Sequence, residues 1–304
     1  MAQLAVRPQQ LDTALARPSI PSWVRMARRL RRSPVGMIGV IIVIAVIIGA
    51  LFAPALTPHD PAQLQLGKRH WPPAWSEGGD WAHPLGTDQL GRDVWSRILI
   101  GSQISVLVGI VSVAISGVIG VTVGLVAGFY GGRLDALLSR ITDTMLSVPF
   151  VLLALAIVGV VGPSLPNLII VLSVTGWVTY ARVIRGEALS LKEREYTTAA
   201  RVIGQRDWLI ALRHILPNVM ATVIVLTTLN VASTIIAESS LSFLGLGVQP
   251  PTVTWGGMLA DGRQFVATSW WLATFPGLAI TIAVLGIIFV GDWLRDVLDP
   301  RLKE

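Results

Sequence analysis

Long stretches without charge alternate with short charged segments along this chain. The two longest uncharged stretches cover residues 98–132 and 144–181, and glycine and proline interrupt the second near 162–167. About 20 apolar residues in a helix are enough to cross roughly 30 Å of hydrocarbon. The pattern therefore predicts six transmembrane helices, near residues 35–56, 100–128, 142–162, 167–186, 216–240 and 272–292.

Composition indicates an integral membrane protein and excludes other classes. Apolar residues make up 53% of the 304 residues and charged residues only 14%, whereas soluble domains carry roughly 25% charged residues. A soluble globule of this size has too little interior to bury so many apolar side chains. The net charge of +6 is spread thinly along the chain, so no nucleic-acid partner is predicted. The chain has no cysteine, which excludes disulfides and thiolate metal sites.

The distribution of Lys and Arg predicts the orientation in the membrane. With the N-terminus inside, 19 of these residues fall in cytoplasmic segments and 5 in external ones, and such residues concentrate on the cytoplasmic side. Both termini are therefore predicted to be cytoplasmic, in a multi-pass protein of the cell (inner) membrane. The predicted segments are a cytoplasmic N-terminal segment 1–34, a first transmembrane helix 35–56, an external loop 57–97, a five-helix core 98–296 with a cytoplasmic loop 187–215, and a cytoplasmic tail 297–304.

Small residues recur on one face of the second predicted span. Gly120, Gly124 and Gly128 are four residues apart, and this spacing places them on the same side of a helix. Without side chains there, the backbone of a neighbouring helix can approach closely. We therefore predict a tight helix–helix contact at these glycines. The sequence leaves open whether the neighbour belongs to this chain or to a second subunit.

The sequence lacks motifs for catalysis. It has no H-E-x-x-H, G-x-S-x-G or phosphate-binding G-x-x-x-x-G-K-[ST] pattern, so we predict no catalytic residue, cofactor or metal, and no ATP hydrolysis by this chain alone. A carrier driven by an ion gradient needs ionisable residues deep in its helices, and a membrane-embedded enzyme needs a buried polar cluster. Both classes remain as less favoured alternatives. Glu238, close to the hydrocarbon edge, is a candidate residue of an outer vestibule.

The cytoplasmic segment between the fourth and fifth spans is the predicted contact with an energy-supplying partner. Thr197–Thr198 is predicted to cap a helix that begins at Ala199, and Gly204 to end that helix with a positive φ. Asp207 is predicted to cap a second short helix. Pro217 is predicted to mark the start of the fifth span because it has no N–H to donate. One of these short helices can dock into a groove of a soluble partner.

The same segment resembles the EAA loop of permeases of binding-protein-dependent ABC importers, whose pattern is E-A-A-x3-G-x9-I-x-L-P. Thr198 stands where the family has Glu, and His214 where it often has Ile. The resemblance implies that residues 199–207 form the coupling helix, which is seated in a cleft of the ATP-binding subunit. Thr198 and Asp207 are therefore candidate coupling residues, together with the residues that match the pattern at the required spacing: Ala199, Ala200, Gly204, Leu216 and Pro217.

A second resemblance lies in the predicted external segments. The stretch HPLGTDQLGRDV at residues 83–94 is similar to a signature of dipeptide and oligopeptide permeases, the C-type subunit in particular. Thr87–Asp88 is predicted to cap a short surface helix that carries Arg92. Asp88 and Arg92 are accordingly candidate residues of the pathway or of an external docking surface. Further matches to this subfamily are PPAW at 72–75, LSFLGLG at 241–247, QPP at 249–251 and DP at 299–300.

The resemblance implies an all-α, six-helix type I ABC importer permease. It also implies a homologous second permease, two ATP-binding subunits that hold ATP and Mg, and an external (periplasmic) substrate-binding protein, with the lipid bilayer as the surroundings. Peptides are the implied cargo. Nickel, glutathione, opines and sugars remain as alternative cargoes because members of the family are expected to carry them.

Overall fold

The computed structural model describes residues 22–298. Residues 1–21 of the predicted N-terminal segment, residues 299–304 of the predicted tail and the DP pair at 299–300 lie outside the described residues. Across 22–298 the chain is helical, and its only strand-like feature is an isolated bridge between Thr87 and Asp93. Five helical stretches are long and apolar enough to span a membrane, or six if one bent pair counts as a single span. The prediction of an all-helical membrane protein is confirmed.

The helices follow one another along the chain with short connections. The connecting turns include 3₁₀ turns at Leu66–Lys68 and Arg263–Phe265 and a π turn at Ala211–Ile215. The helices are α1 Ser22–Arg32, α2 Pro34–Leu51, α3 Ala53–Leu56, α4 Val94–Tyr130, α5 Gly132–Ser147, α6 Phe150–Val161, α7 Leu165–Lys192, α8 Glu195–Val202, α9 Asp207–Ile210, α10 Leu216–Phe243, α11 Trp255–Gly262 and α12 Trp271–Leu298.

Most spanning helices are longer than the hydropathy pattern predicts. α4 begins at Val94 instead of near residue 100, α7 continues to Lys192, and α12 continues to Leu298. The pattern stopped each span near the first charged residues, because charged side chains are costly within hydrocarbon. A helix can continue past the bilayer into water, where charge carries no such cost, so the first charged residues need not mark its end.

The helix predicted near residues 142–162 is not continuous. The chain bends by 88° between α5 and α6 at Val148–Pro149. Pro149 has no N–H to donate, and it holds Val148 in an extended conformation (φ −94°, ψ 122°). Counting six spans therefore requires that this bent pair crosses the membrane as one.

Helix directions support counting the bent pair as one span. Gly120 of α4 lies against the backbone of Trp177 in α7, and Gly128 lies against that of Arg185. Residue numbers rise together in the two helices, so α4 and α7 run in the same direction. The chain must therefore return across the membrane between them, and α5 and α6 are the only helices in that interval.

The three glycines of α4 form a close contact with α7 of the same chain. A methyl group placed on Gly124 would lie 2.6 Å from the carbonyl oxygen of Ala181, and one on Gly128 would lie 2.6 Å from that of Arg185. The backbones thus approach so closely that any side chain at these positions collides with α7. This geometry identifies the neighbouring helix, which the sequence left open.

α10 runs antiparallel to this pair, and α2 runs antiparallel to α12. Ile235 of α10 packs on Gly109 of α4, and Glu238, further along α10, reaches back to Ser105. α2 packs against α12, where Gly39 and Gly286 allow a close approach. Because directions alternate, α2 begins and α12 ends on the same side of the bundle.

Candidate functional site

The segment that resembles the EAA loop begins with α8, which starts earlier than predicted. Arg194 occupies the N-cap position without a side-chain hydrogen bond, and Glu195 is the first helical residue. Thr197 lies inside the helix, where its Oγ1 donates to the carbonyl oxygen of Leu191 at 2.9 Å. Thr198 and Ala199 also lie inside α8. The prediction that Thr197–Thr198 caps a helix from Ala199 is therefore wrong, because the hydroxyl of Thr197 bonds back to the end of α7 instead.

One face of α8 is fixed to the spanning helices. Thr197 and Ala200 are buried, whereas Thr198 and Ala199 on the other face are exposed. Ala200 packs in a buried apolar cluster with Phe129 at the end of α4, Ile184 of α7, and two residues just before α10, Ile210 and Ile215. Arg201 adds a cation–π contact, with its guanidinium carbon 5.3 Å from the centre of the Phe129 ring. A force on α8 would thus reach three spanning helices through one cluster.

The turn after α8 leaves two apolar side chains in solvent. Gly204 has φ +80°, and the N–H of Gln205 bonds to the carbonyl oxygen of Ala200 at 3.1 Å. This is the usual glycine-ended helix terminus, and a side chain at position 204 would strain it. Just before the turn, Val202 is 82% exposed and Ile203 is 81% exposed. Sequence reasoning missed both, although two adjacent apolar residues before a turn glycine in a polar segment were a usable signal.

Asp207 and Pro217 have roles that differ from those predicted. Asp207 is the first residue of α9 and not its cap, and its carboxylate lies 3.5 Å from Nε of Arg201. Pro217 is exposed in the first turn of α10, but no new helix begins there because α9, the π turn and α10 run on continuously. The N–H of Leu216 bonds to the carbonyl oxygen of Ala211, five residues back. The π turn thus lets the helix continue although Pro217 has no N–H to donate.

The predicted external segment carries a cluster of buried charges at the start of α4. Oδ1 of Asp88 accepts hydrogen bonds from the N–H groups of Leu90 (2.8 Å) and Arg92 (2.9 Å), and Oδ2 lies 2.6 Å from Nε of Arg92. Gly91, at φ +75°, closes the turn. The predicted surface helix after Thr87–Asp88 is therefore wrong. Asp93 caps the helix that follows, α4, by accepting from the N–H of Ser96 at 2.7 Å.

Arg97 and Asp261 complete this cluster, which we call the external ion cluster after the predicted location of residues 57–97. Arg97 is 6% exposed, with its Nε 3.6 Å from Asp88 and its Nη2 3.6 Å from Asp261 of α11. Arg92 approaches the same carboxylate at 3.9 Å. Partial burial raises the pKa of Asp261 above the usual carboxyl range, and attraction to Arg97 and Arg92 opposes this. The cluster ties the external loop and α4 to α11. Arg97 and Asp261 were missed because their contacts are distant in sequence.

A second buried group lies beside the cap of α4. Nδ1 of His83 donates to Asp93 at 3.0 Å, and Nζ of Lys68 lies 3.3 Å from Nε2 of His83. His59, His83 and Asp93 bring possible metal ligands within 4.8 Å of one another. Both nitrogens of His83 already have protein partners, however, and the nearby ammonium of Lys68 would repel a cation. The arrangement therefore positions the start of α4.

Comparison with known families decides what kind of chain this is. The family described as binding-protein-dependent transport system inner membrane component matches residues 120–304, and the N-terminal TM domain of oligopeptide transport permease C matches residues 22–73. The chain belongs to the family of binding-protein-dependent transport permeases. The first match contains the EAA-like segment, and the second contains α1 and α2.

Curated relatives extend the match over nearly the whole permease. The chain is 43% identical to the Di/tripeptide transport system permease protein DppC of Pseudomonas aeruginosa, strain UCBPP-PA14, over 88% of each chain. It is 38% identical to the Probable D,D-dipeptide transport system permease protein DdpC of Escherichia coli K12, over 98% of this chain and 95% of the relative.

A solved structure matches the permease in fold. This is a chain of the MetNI methionine ABC transporter in an inward-facing form, with a TM-score of 0.55 and 20% identity over 68% of this chain and 97% of that one. At this level of identity the similarity concerns the fold alone, which is that of a type I ABC importer permease.

Glu238 does not line an open vestibule in this permease. Its side chain is fully buried, and its carboxylate accepts hydrogen bonds from Ser242 at 2.8 Å and from Ser239 at 3.3 Å. Ser105 of α4 lies 3.5 Å away and also accepts from the N–H of Trp255. The group joins α10 to α4 and α11. Glu238 therefore fits a structural role at the end of α10 that packs on α11, and a vestibule role would require these hydrogen bonds to break.

Proposed function

We propose that this chain is a permease subunit of an ATP-driven importer of dipeptides and oligopeptides and forms half of its translocation pathway. The other half belongs to a homologous second permease. Two ATP-binding subunits hold ATP and Mg, and an external substrate-binding protein delivers the peptide. The curated relatives, which are named as dipeptide and di/tripeptide permeases, support this assignment.

The proposal that α8 contacts an ATP-binding subunit rests on the exposure of Val202 and Ile203. Both side chains project from the end of α8, while Thr197 and Ala200 fasten the opposite face of this helix to the bundle. Adjacent exposed apolar side chains in a segment between the spans are suited to burial against a partner protein. The proposed partner is the cleft of an ATP-binding subunit.

The proposed cycle is alternating access by rigid-body movement. When the two ATP-binding subunits close, they pull on α8. The cluster around Ala200 and Phe129 transmits this displacement to α4, α7 and α10. The path then opens outward to the docked binding protein. Hydrolysis reverses the movement, and the peptide leaves inward.

The orientation of the chain in the membrane can be inferred from the arrangement of its helices. α8 lies beyond the end of α7, on the side where α2 begins and α12 ends, and the external ion cluster lies at the opposite ends of α4 and α10. With the excess of Lys and Arg, we infer that α8 and both chain termini are cytoplasmic.

Two substitutions at glycines test the proposal in the reconstituted complex. Gly204→Val strains the turn after α8, and we expect loss of both ATP-driven dipeptide uptake and co-purification of the ATP-binding subunits. Gly245→Val is the matched control, because Gly245 has φ +81° and open space around it but lies after α10, at the other end of the bundle. This control should retain its ATP-binding subunits. Full uptake by Gly204→Val, or no ATP-dependent peptide uptake by the unmodified complex, would overturn the proposal.

A further inference from the structure

A cavity of about 380 Å³ lies between α7, α10 and the bend that joins α5 to α6. Val148 and Pro149 of the bend form part of its wall. α7 contributes residues 172, 175, 176, 178 and 179, and α10 contributes residues 230, 233, 234 and 237. Apart from residue 178, both sets have the i, i+3, i+4, i+7 spacing of one helix face. The cavity is thus bounded by one face of each helix.

These two helix faces carry polar side chains among apolar ones and no charge, whereas the wall formed by the bend is apolar. Their polar residues are Thr175, Thr179, Asn230, Ser233 and Thr234. Oγ1 of Thr175 donates to the carbonyl oxygen of Val171 at 2.9 Å, and Nδ2 of Asn230 donates to that of Leu226 at 2.9 Å. Oγ of Ser233 donates to the carbonyl oxygen of Asn230 at 3.0 Å. Because these donors are used within the helices, the side-chain oxygens remain as hydrogen-bond acceptors for an occupant of the cavity.

The polar faces do not suit contact with lipid. Thr179 and Ser233 are exposed in the single chain, in the middle of spanning helices. Polar groups at membrane depth face a bundle interior or a water-filled cavity. By contrast, the neighbouring α6 presents aliphatic side chains such as Leu152 and Leu155. The side of the chain that carries the cavity is therefore suited to an aqueous path.

We propose that this cavity is the chain's share of the transport path and that it takes solutes through neutral hydrogen bonds, as a peptide backbone offers. This deepens the proposed function and rests on it. Hydroxyl and amide oxygens accept from backbone N–H groups, which every peptide has. Since no charged residue lies in the described wall, the cavity does not discriminate between cargoes by side-chain charge.

Thiol labelling tests whether water reaches the cavity in the complete complex. The chain has no native cysteine, so Thr179→Cys and Ser233→Cys each introduce a single thiol of nearly unchanged size. Val118→Cys on α4 is the matched control, because Val118 is 70% exposed and its neighbour Gly117 lies against Tyr180, at the depth of Thr179.

The expected pattern is specific to a path that opens and closes. A charged, membrane-impermeant methanethiosulfonate should modify the two cavity thiols, with rates that differ by about tenfold between nucleotide-free and ATP-bound complexes, because only a hydrated thiol ionises and reacts readily. Val118→Cys should stay unmodified. Cavity thiols that are unreactive in every nucleotide state, or that form cross-links to the second permease without reacting with the reagent, would overturn the proposal.

A charge placed in the wall tests the chemistry of the path. Thr234→Asp should shift the ratio of uptake of cationic to anionic dipeptides by about tenfold or more, because a carboxylate in the wall attracts cations and repels anions. Thr234→Asn introduces a side chain with the shape of Asp but without its charge, and it should leave the ratio unchanged. Equal ratios for the two variants would overturn the assignment.

The two proposals fail differently. If the unmodified complex takes up peptide but the cavity thiols never react, the cavity is not the path and the proposed function stands. If the thiols show nucleotide-dependent reactivity but the unmodified complex takes up no peptide, the path stands and the peptide assignment is wrong.

Discussion

Charged side chains lie buried against one another at the external end of α4, whereas apolar side chains lie exposed at the coupling segment. Asp88 and Arg97 are at most 6% exposed, and each has a partner of opposite charge. Val202 and Ile203 are more than 80% exposed. Each end thus departs from the usual distribution, in which charge is outside and apolar surface is inside. The external end satisfies its buried charges within one chain, but the coupling segment needs another protein to cover its apolar surface.

The comparison predicts that substitutions at the two ends fail in different ways. Breaking a buried charged group leaves an unpaired charge and destabilises the fold. Changing an exposed apolar pair leaves the fold intact and removes a binding surface. Loss of stability without loss of assembly is expected at the external end, and the opposite is expected at α8.

The largest effect should come from placing charge on the coupling segment. The double variant Val202→Asp, Ile203→Asp should lose its ATP-binding subunits during purification, and uptake should fall to background. Its melting temperature in detergent should stay close to that of the unmodified chain, because exposed substitutions typically change stability by about 0.5 kcal/mol or less. The control Val202→Ile, Ile203→Val keeps the apolar surface and should keep the subunits. Retention of the subunits by the aspartate variant would show that this pair is not the contact.

The next effect should appear at the external ion cluster. Asp88→Ala removes the buried one of the two carboxylate partners of Arg97 and should lower the free energy of unfolding by about 3 kcal/mol, as is typical when one member of a buried pair is lost. Asp143→Ala is the matched control, because its pair with Arg182 at 3.0 Å is exposed and should contribute at most about 1 kcal/mol. Thermal unfolding in detergent measures both. Similar losses for the two variants would contradict the comparison.

The spans and the coupling turn could be predicted from the sequence, but local rules misplaced the caps. Uncharged runs located the spanning helices, and Gly204 has the positive φ expected of a helix-ending glycine. Asp88 and Asp93 each precede a stretch that can form a helix. In a helix cap and in a tight turn alike, a carboxylate accepts hydrogen bonds from the N–H groups of residues two to four positions later in the chain. The left-handed Gly91 distinguishes them, because it ends a turn where a helix from Asp88 would have continued.

Features that depend on distant contacts could not be predicted. Nothing near Gly124 indicates that its neighbour is α7, since Ala181 is far away in sequence. Pro149 permits either a kink or a break, and the 88° bend depends on what packs around it. The contact of Arg97 with Asp261 likewise joins residues that lie far apart in sequence. Periodicity and capping rules describe only near neighbours.

A smaller loss of stability is expected where α4 packs against α7. These two helices run between the external ion cluster and the coupling segment. Gly124→Ala brings a methyl group to 2.6 Å from the carbonyl oxygen of Ala181, and overpacking of this kind costs about 1–3 kcal/mol. Gly159→Ala on α6 meets no atom within 4 Å and should be neutral or slightly stabilising. Melting temperatures in detergent compare the two. An unchanged value for Gly124→Ala would mean that the helices are not in close contact there.

The smallest effect concerns the pH dependence of the external cluster. Burial raises the pKa of Asp261 in the folded chain, with Asp88, Arg92 and Arg97 as its charged neighbours. The folded state therefore binds the proton more tightly than the unfolded state, so the charged carboxylate destabilises the fold at neutral pH. This cost disappears as the pH falls through the folded pKa. Asp261→Asn should thus melt slightly higher than the unmodified chain at pH 7, with a difference that shrinks on acidification. A difference that grows instead would contradict this sign.

Hydrogen exchange of the backbone amides, with and without the ATP-binding subunits, tests the central claim most directly. Amides in exposed segments with few contacts exchange readily, and a bound partner slows them. We expect residues 195–207 to exchange faster in the permease pair than in the full complex, while residues 83–97 exchange slowly in both. Equal exchange of residues 195–207 in the two samples would contradict the claim that a partner covers the coupling segment.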